Sequence, residues 1–212
     1  MPRVLGGSLE NHRDLTRDRI FEALAQLMYE RGYDAISLAD VAAECGMART
    51  AMYNYFSDKE SLLIGYASRE TDRYTAELRD ALSEVEGPVA RLQVYIRSQL
   101  TYFSEHHLPP GPALRHMVDN EAYSKILDHV RSLDDELRSI LQDGQEERYM
   151  LLDDVVDTGA MINACIARGS SLRPGDDRLE HTIELTEAFV LRALGVRLDR
   201  DGQARRLPRT AR

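Results

Sequence analysis

The chain has 212 residues, which is long enough for one large domain or for a small domain joined to a larger one. Hydrophobic residues make up 43% of it and charged residues 30%, so it can bury a core and is not disordered as a whole. The formal net charge of −9 disfavours a nucleic-acid partner, although a local basic face would still allow one.

The two cysteines, Cys45 and Cys165, lie among apolar residues without a CxxC spacing, so they predict neither a disulfide framework nor a zinc site. Small buried thiols in a reducing compartment are the simpler interpretation. No apolar run approaches the roughly 18 to 20 residues that span a bilayer. The N-terminus also lacks the apolar core of a secretory signal. We therefore expect a cytoplasmic protein without a membrane partner.

The first helical pattern follows a 14-residue N-terminal stretch that we predict to be a flexible arm. It is TRDRIFEALAQLMYERGY, which begins at Thr16. Its apolar residues recur at the spacing of one buried helical face, and they are Ile20, Ala23, Leu24, Leu27 and Met28. Gly32 then ends the helix.

Two short helices follow and are joined through a glycine. SLADVAAECG opens with a variant of the capping box, Ser37 with Asp40 three residues later, and Gly46 ends this helix after about two turns. The next helix is predicted from about Ala48 to Phe56. Two short helices joined by a glycine turn and supported by a longer first helix form a helix-turn-helix pattern over residues 15–62.

The rest of the chain also shows helical spacing, which predicts an all-α protein. SDKE at Ser57–Glu60 is a capping box that opens a long helix from about residue 58 to 83. Further amphipathic helices fill a second, larger domain over residues 63–196. Residues 197–212 contain six arginines against two aspartates and no apolar face, which predicts a flexible basic tail.

The short helix predicted over residues 48–56 has two different faces. Met52 and Phe56 lie four residues apart and share one side with Ala48, so they would seat the helix on its supports. The outward face carries hydrogen-bonding side chains: Arg49, Thr50, Tyr53 and Asn54. Arginine and asparagine can pair bidentately with guanine and adenine edges, and hydroxyl groups suit phosphate oxygens. This face predicts a DNA contact, although ordinary surface residues of a helical bundle would have the same composition.

The stretch from about Thr16 to Leu63 resembles the N-terminal domain of TetR-family transcriptional regulators. The matching features are a helix ending in GY, a serine-started short helix, a glycine turn, and ARTAMYNYF followed by SDKESLL. The resemblance implies a three-helix helix-turn-helix DNA-binding domain at the N-terminus. It also implies a larger C-terminal helical domain for ligand binding and dimerisation.

The resemblance further implies a regulator, usually a repressor, that binds a palindromic double-stranded DNA operator as a homodimer and responds to a small-molecule effector. It places DNA contacts at Ser37, Arg49, Thr50, Tyr53, Asn54, Tyr55 and Lys59. Three departures from the family pattern bear on the operator sequence. Ala48 replaces a capping serine, Thr50 stands where glycine is common, and Asn54 replaces a common aromatic residue.

The second domain would sense the effector. Aromatic residues and methionines with a few polar groups suit a small, mostly apolar ligand, and the candidates are Tyr66, Tyr74, Tyr95, Gln99, Tyr102, Phe103, Met117, Tyr123 and Met161. Ordinary core packing would give the same spacing. The resemblance implies a dimer interface on the last two helices, where small and bulky residues would meet: Gly159, Ala160, Ala164, Phe189, Val190 and Leu194.

Two other functions fit parts of the sequence. A small helical enzyme would need a converging nucleophile and base, and no such pair or motif stands out, so we expect no enzyme and no cofactor. His106, His107 and His116 surround a proline-rich loop without the spacing of a metal site. A dimeric interaction protein that kept the fold but lost DNA binding would fit the acidic charge and the missing cap at Ala48.

Overall fold

The computed structural model describes residues 7–105, 120–167, 172 and 177–208. The chain divides into two compact units. The first consists of Met1–Arg69 and Ala113–Ile126, and the second consists of Glu70–Pro112 and Leu127–Arg212. The first unit therefore extends beyond residue 62, where the sequence pattern places the boundary, and it also includes residues 113–126, which the pattern assigns to the second domain.

Eight α-helices lie within the described ranges: α1 Gly7–Arg31, α2 Leu38–Glu44, α3 Arg49–Met52, α4 Lys59–Ser83, α5 Pro88–Glu105, α6 Asn120–Glu146, α7 Val155–Ala167 and α8 Leu179–Ala193. A 3-10 turn at Tyr33–Ala35 follows α1. Two short antiparallel strands, β1 (Arg197–Leu198) and β2 (Ala204–Arg205), follow α8. The predicted all-α class, with a helix-turn-helix unit followed by a larger helical unit, is confirmed.

Helix α1 buries the face that its periodicity predicts. Ile20, Leu24 and Leu27 are almost completely buried in the first unit. Phe21, which the pattern does not single out, is also buried, and its ring centre lies 5.5 Å from that of Phe56. Residues 7–14 are also helical, where the sequence predicts a flexible arm. The prediction missed them because they lack the apolar periodicity by which a buried helical face is recognised.

The core of the second unit is centred on α5. Its fully buried residues are Leu92, Tyr95, Ile96 and Leu100, and they belong to one cluster with side chains of α6, α7 and α8. Two arginines on the other side of α5 reach acidic groups of its neighbours. Arg91 pairs with Glu136 of α6 at 3.0 Å, and Arg97 donates to both carboxylate oxygens of Glu180 of α8 at 2.8 Å. The apolar cluster supplies most of the stability, because partly exposed ion pairs contribute little each.

The two short strands form a hairpin in the stretch that the sequence predicts to be a flexible tail. Asp199 organises its turn, since one carboxylate oxygen accepts the amides of Asp201 and Gln203 at 3.0 Å each. Gly202 adopts a φ of 78°, in the region that favours glycine. Beyond β2, Leu207 is buried. The Asp-Gly pair at 201–202 is the turn signal that the arginine count obscured.

Two observations on the described residues concern membrane-spanning helices and metal sites. None of the helices in these ranges combines the length and the apolar character needed to cross a bilayer. No group of three or more His, Cys, Asp or Glu side chains in the same ranges could hold a metal ion. The histidines at positions 106, 107 and 116 lie outside the described residues.

Candidate functional site

Helix α2 begins at a reciprocal cap between Ser37 and Asp40. The Ser37 hydroxyl donates to the Asp40 carboxylate at 2.5 Å and accepts the Asp40 amide at 3.3 Å, while the Ser37 amide donates to the same carboxylate at 2.8 Å. These hydrogen bonds, the hydroxyl's first, lower the pKa of the Asp40 carboxyl. The capping box is present as predicted. A phosphate at Ser37 would therefore compete with Asp40 for the hydroxyl proton.

A tight glycine turn ends α2 and sets the direction of the next segment. Gly46 adopts a φ of 66°, and the amide of Met47 donates to the carbonyl of Ala42 at 2.7 Å. This pattern is a Schellman-type helix end, which requires a left-handed residue at the glycine position. Arg19 of α1 donates to the carbonyl of Cys45 at 3.0 Å and so ties the turn to the supporting helix.

The segment after the turn, residues 49–56, is called the recognition segment below. Its regular helix, α3, covers only Arg49–Met52, whereas the sequence predicts a helix to Phe56. Ala48 at the N-cap provides no side-chain hydrogen bond, and such short helices are unstable alone. After Met52 the chain continues as turns, in which the amides of Tyr55 and Phe56 donate to the Met52 carbonyl at 2.9 and 3.1 Å.

Two anchors hold the recognition segment against the first unit. Met52 is completely buried and Phe56 is 5% exposed, in contact with the ring of Phe21. Ala48 is exposed, although the helical spacing predicts that it shares the buried side. The difference follows from the backbone, because Ala48 has extended dihedral angles and is not part of the helix.

The predicted contact residues of this segment face the solvent. The exposed ones are Arg49, Thr50, Tyr53 and Asn54, and Tyr55 is half-buried. Arg49 and Tyr53 line one surface recess together with Ser37 and Lys59. The structure thus brings residues from the start of α2, the recognition segment and the start of α4 onto one surface.

Lys59 is less free than the sequence suggests. Its ammonium group donates to the carbonyl of Tyr33 at 3.1 Å and lies 4.2 Å from the centre of the Tyr33 ring. Burial, more than the nearby acidic groups, raises the pKa of Tyr33 to about 12, so the ring is neutral at physiological pH. An ammonium group has three N–H donors, so Lys59 can hold the 3-10 turn that follows α1 and still offer donors to an anion.

The residue that caps the start of α4 is Asp58, one residue after the predicted cap. The Asp58 carboxylate accepts the amide of Ser61 at 2.6 Å, and the amide of Asp58 donates to the Ser61 hydroxyl at 3.2 Å. Ser57 instead donates its hydroxyl to the Asp58 carboxylate at 2.7 Å. The capping pair is therefore Asp58 with Ser61. The Asp58 carboxylate can accept the helix amide of Ser61 and the hydroxyl of Ser57 at the same time.

Replacing Asp58 by Ala should lower the free energy of unfolding by about 1 kcal/mol at neutral pH, and Ser57→Ala should cost clearly less. The hydrogen bond from the Ser61 amide, first among several, lowers the pKa of Asp58. The contribution of the cap is therefore complete above the unfolded-state pKa and is lost as the pH falls through the lower folded-state pKa. Urea unfolding of the three proteins between neutral and acidic pH measures this difference. Equal losses for the two variants would contradict the assignment of the cap.

Comparison with known proteins identifies this arrangement. Residues 20–65 match the family model described as bacterial regulatory proteins, tetR family. Residues 20–65 thus form a domain of the TetR-family type. The matched residues run from the buried face of α1 through the recognition segment to the first two turns of α4, so the motif that suggested the family is the part that the comparison supports.

Individual transcriptional regulators match longer stretches of the chain. HTH-type transcriptional regulator AlkX of Mycobacterium tuberculosis is 31% identical over 101 residues, which cover 48% of this chain and 47% of AlkX. The chain thus spans about half the length of the curated relatives it matches. HTH-type transcriptional repressor KstR2 of the same organism is 24% identical over 144 residues, covering 66% and 72%. The structure of PfmR from Thermus thermophilus superposes with a TM-score of 0.68 at 25% identity, covering 82% of this chain and 97% of PfmR.

Most of the predicted pocket residues lie together on α4 and α5. They are Tyr74, Tyr95, Gln99, Tyr102 and Phe103, all in the second unit. The rings of Tyr74 and Tyr102 have their centres 4.4 Å apart, and Gln99 donates to the Tyr95 hydroxyl at 3.1 Å. Tyr66 instead lies in the first unit, with its ring 6.0 Å from that of Phe21. Met117 and the side chain of Tyr123 lie outside the described residues.

The Tyr74 hydroxyl has an unusual environment in this cluster. Tyr74 is 4% exposed, and its hydroxyl has no hydrogen-bond partner within the part of the chain that the structure describes. The same holds for the hydroxyl of the adjacent Thr75. A buried polar group without a partner costs about 1–3 kcal/mol. Sequence spacing does not reveal it, because buried tyrosines usually have bonded hydroxyls.

The predicted dimer residues separate into two groups. Val190 and Leu194 are buried in the core of the second unit, whereas Phe189 is 56% exposed. Consecutive helical residues point in directions about 100° apart, so the two neighbours in α8 cannot share a face. Gly159 is half-buried, and the other two predicted residues are exposed: Ala160 and Ala164.

The exposed residues among them, Phe189, Ala160 and Ala164, belong to a larger apolar surface on α7 and α8, called the apolar face below. Its members are Val156, Ala160, Met161, Ala164, Leu185, Phe189 and Ala193. Met161 is 70% exposed, so it belongs to this surface. The sequence predicts it in the ligand pocket, but a side chain this exposed does not line an enclosed pocket. Part of the surface is a groove lined by Met161, Phe189 and Leu151. Exposed apolar surfaces of this kind mark interaction sites.

Proposed function

We propose that this protein is a transcriptional regulator that binds a palindromic DNA operator as a homodimer and releases it when a small, mostly apolar molecule binds. The observation that carries the proposal is the recognition segment. Met52 and Phe56 fix its inner side in the core, while its outer side presents arginine, threonine, tyrosine and asparagine to solvent. This is what a helix-turn-helix needs in order to place side chains in a major groove.

Base recognition would come from Arg49 and Asn54. A guanidinium group can donate two parallel hydrogen bonds to guanine, and a carboxamide can both donate to and accept from adenine. Three of the proposed phosphate contacts, Ser37, Tyr53 and Lys59, line the same surface recess as Arg49. Tyr55 is the fourth proposed phosphate contact, and Thr50 could meet either a base or a phosphate. These contacts would position the protein, and the two central side chains would select the sequence.

A homodimer would place two recognition segments on one operator. The apolar face on α7 and α8 supports this part of the proposal, because its exposed Phe189 and Met161 lie beside small residues that permit close helix approach. Paired major-groove contacts require a spacing of about 34–36 Å or a multiple of it. An effector that favours a different spacing therefore weakens operator binding by its differential affinity for the two states.

The effector would bind beside the aromatic cluster of the second unit. A ligand with one hydrogen-bond acceptor would satisfy the Tyr74 hydroxyl, while the rings of Tyr74, Tyr102 and Phe103 would contact its apolar part. Repression is the expected mode of regulation, and the relative KstR2 is named a transcriptional repressor. A binding function of this kind requires no catalytic group.

Selection of bound sequences from random duplex DNA tests the proposal. We expect a palindrome to be enriched, and Arg49→Ala and Asn54→Ala to relax the preference at particular bases by about 1–3 kcal/mol each. Arg49→Lys is the matched control, because it keeps the charge and loses the two parallel donors. It should retain binding to random DNA while losing the base preference.

One alternative function makes different predictions, which the same experiment can test. A dimeric interaction protein with this fold would fit the net charge of −9 and the uncapped Ala48. It predicts no enriched sequence and no effect of the Arg49 and Asn54 variants. Unfolding and refolding the protein before a second selection removes any co-purified effector, so a persistent lack of enrichment would favour the alternative.

A further inference from the structure

We propose that Arg17 of α1 is an additional contact to the DNA phosphate backbone, held in position by the aromatic residues that support the recognition segment. This inference rests on the proposed operator binding. The sequence pattern does not select Arg17, because it precedes the apolar periodicity of α1 and lies outside the recognition segment.

The side chain of Arg17 lies over two aromatic rings. Its guanidinium carbon is 5.6 Å from the centre of the Phe56 ring and 6.0 Å from that of Phe21, and the two rings are themselves in contact. A cation is attracted to the face of an aromatic ring. Because the guanidinium group is planar, its face can lie on the rings while its N–H donors remain available at its edge.

The charge of Arg17 is not neutralised by a neighbour in the described ranges. Arg69 provides the comparison, because it also lies over Phe21, at 5.0 Å, but pairs with Asp18 at 2.5 Å. Arg17 is exposed and has no carboxylate partner among the residues that the structure describes. Of the two cations at this aromatic pair, Arg17 is therefore the one with donors available for a phosphate.

The position of Arg17 connects it to the candidate interface. Phe56 is the last residue of the recognition segment, and Arg17 lies against its ring. Arg19, which follows Arg17 by two residues in α1, donates to the Cys45 carbonyl in the turn that precedes the segment. This part of α1 thus contacts the turn before the recognition segment and also Phe56, the final residue of the segment. The guanidinium group of Arg17 therefore lies at the border of the recognition segment. A cation there can reach a phosphate without reading a base.

The salt dependence of operator binding tests the inference. Arg17→Ala should weaken binding to the selected duplex and to random duplex by the same factor, about 3- to 10-fold at 0.1 M salt, and reduce the slope of log K against log salt by about 0.9. Arg17→Lys should retain most of the slope, because the charge remains. Arg79→Ala is the control, since it removes an exposed arginine from the second unit and should leave the slope unchanged.

A purely structural role for Arg17 gives a different result. Loss of its contact with Phe56 would lower the unfolding temperature and the affinity, but it would leave the salt slope as it is in the unmodified protein. That outcome would overturn the inference. If Arg17→Ala leaves the slope unchanged while Arg49→Ala relaxes the base preference, the proposed function stands without this contact. If no variant alters binding, the proposed function itself has failed.

Discussion

Phe189→Asp is expected to convert the proposed dimer into monomers and to weaken operator binding more than a hundredfold. Phe189 is 56% exposed in the single chain and lines the groove of the apolar face. An unpaired carboxylate buried at its position would cost several kcal/mol, and each 1.4 kcal/mol is a factor of about ten in the dissociation constant. Sedimentation velocity across a concentration series measures the first effect, and titration of the selected duplex measures the second.

Leu15→Asp is the matched control for this experiment. Leu15 is 64% exposed on α1, so the change introduces the same charge at a similarly exposed apolar residue outside the apolar face. It should leave the association state unchanged. If Phe189→Asp remains fully dimeric at low concentration, the assignment of the apolar face to the dimer interface must be abandoned.

Tyr74→Phe should raise the free energy of unfolding by about 1–3 kcal/mol, whereas Tyr95→Phe should lower it by about 1 kcal/mol. Both tyrosines are buried in the second unit, and burial is the main cause of the raised pKa of each. They differ in their partners, because the Tyr95 hydroxyl accepts from Gln99 and the Tyr74 hydroxyl has no partner within the described chain. Removing the first hydroxyl relieves a desolvation cost, and removing the second breaks a hydrogen bond.

Chemical denaturation of the effector-free protein at neutral pH measures both changes. The pair is well matched, since each substitution removes one oxygen from a buried ring without changing its shape. Equal destabilisation by the two substitutions would show that the Tyr74 hydroxyl is bonded, and the effector proposal would lose its polar contact. The expected opposite signs would mean that the protein retains a costly group for a purpose other than stability.

The helix-turn-helix could be predicted because its signals are local. A capping pair at Ser37 and Asp40, a left-handed glycine at 46 and apolar residues at 52 and 56 each act within a few residues along the chain. Such signals survive in the sequence regardless of what packs against them. For the same reason the outward direction of Arg49 and Asn54 could be predicted from helical spacing.

Features that depend on contacts distant in sequence could not be predicted. Phe21 and Phe56 lie 35 positions apart and meet only in the fold, so the aromatic support of Arg17 is invisible in the pattern. Periodicity also did not separate Phe189 from Val190, because both are apolar and only the packing of α8 decides which one is buried. Competing local signals caused the smaller errors, such as the choice between Ser57 and Asp58 as the helix cap.

The recognition segment is attached to the protein by its buried residues and not by its exposed ones, and this difference has an evolutionary consequence. Its attachment to the protein depends on Met52 and Phe56, whereas Arg49, Thr50 and Asn54 extend into solvent. Substitutions at exposed positions outside special features change stability by no more than about 0.5 kcal/mol. After gene duplication, the outward residues can therefore change one at a time without loss of the folded state. If the proposed function holds, a descendant of this protein can therefore acquire a new operator preference while the rest of the fold is retained.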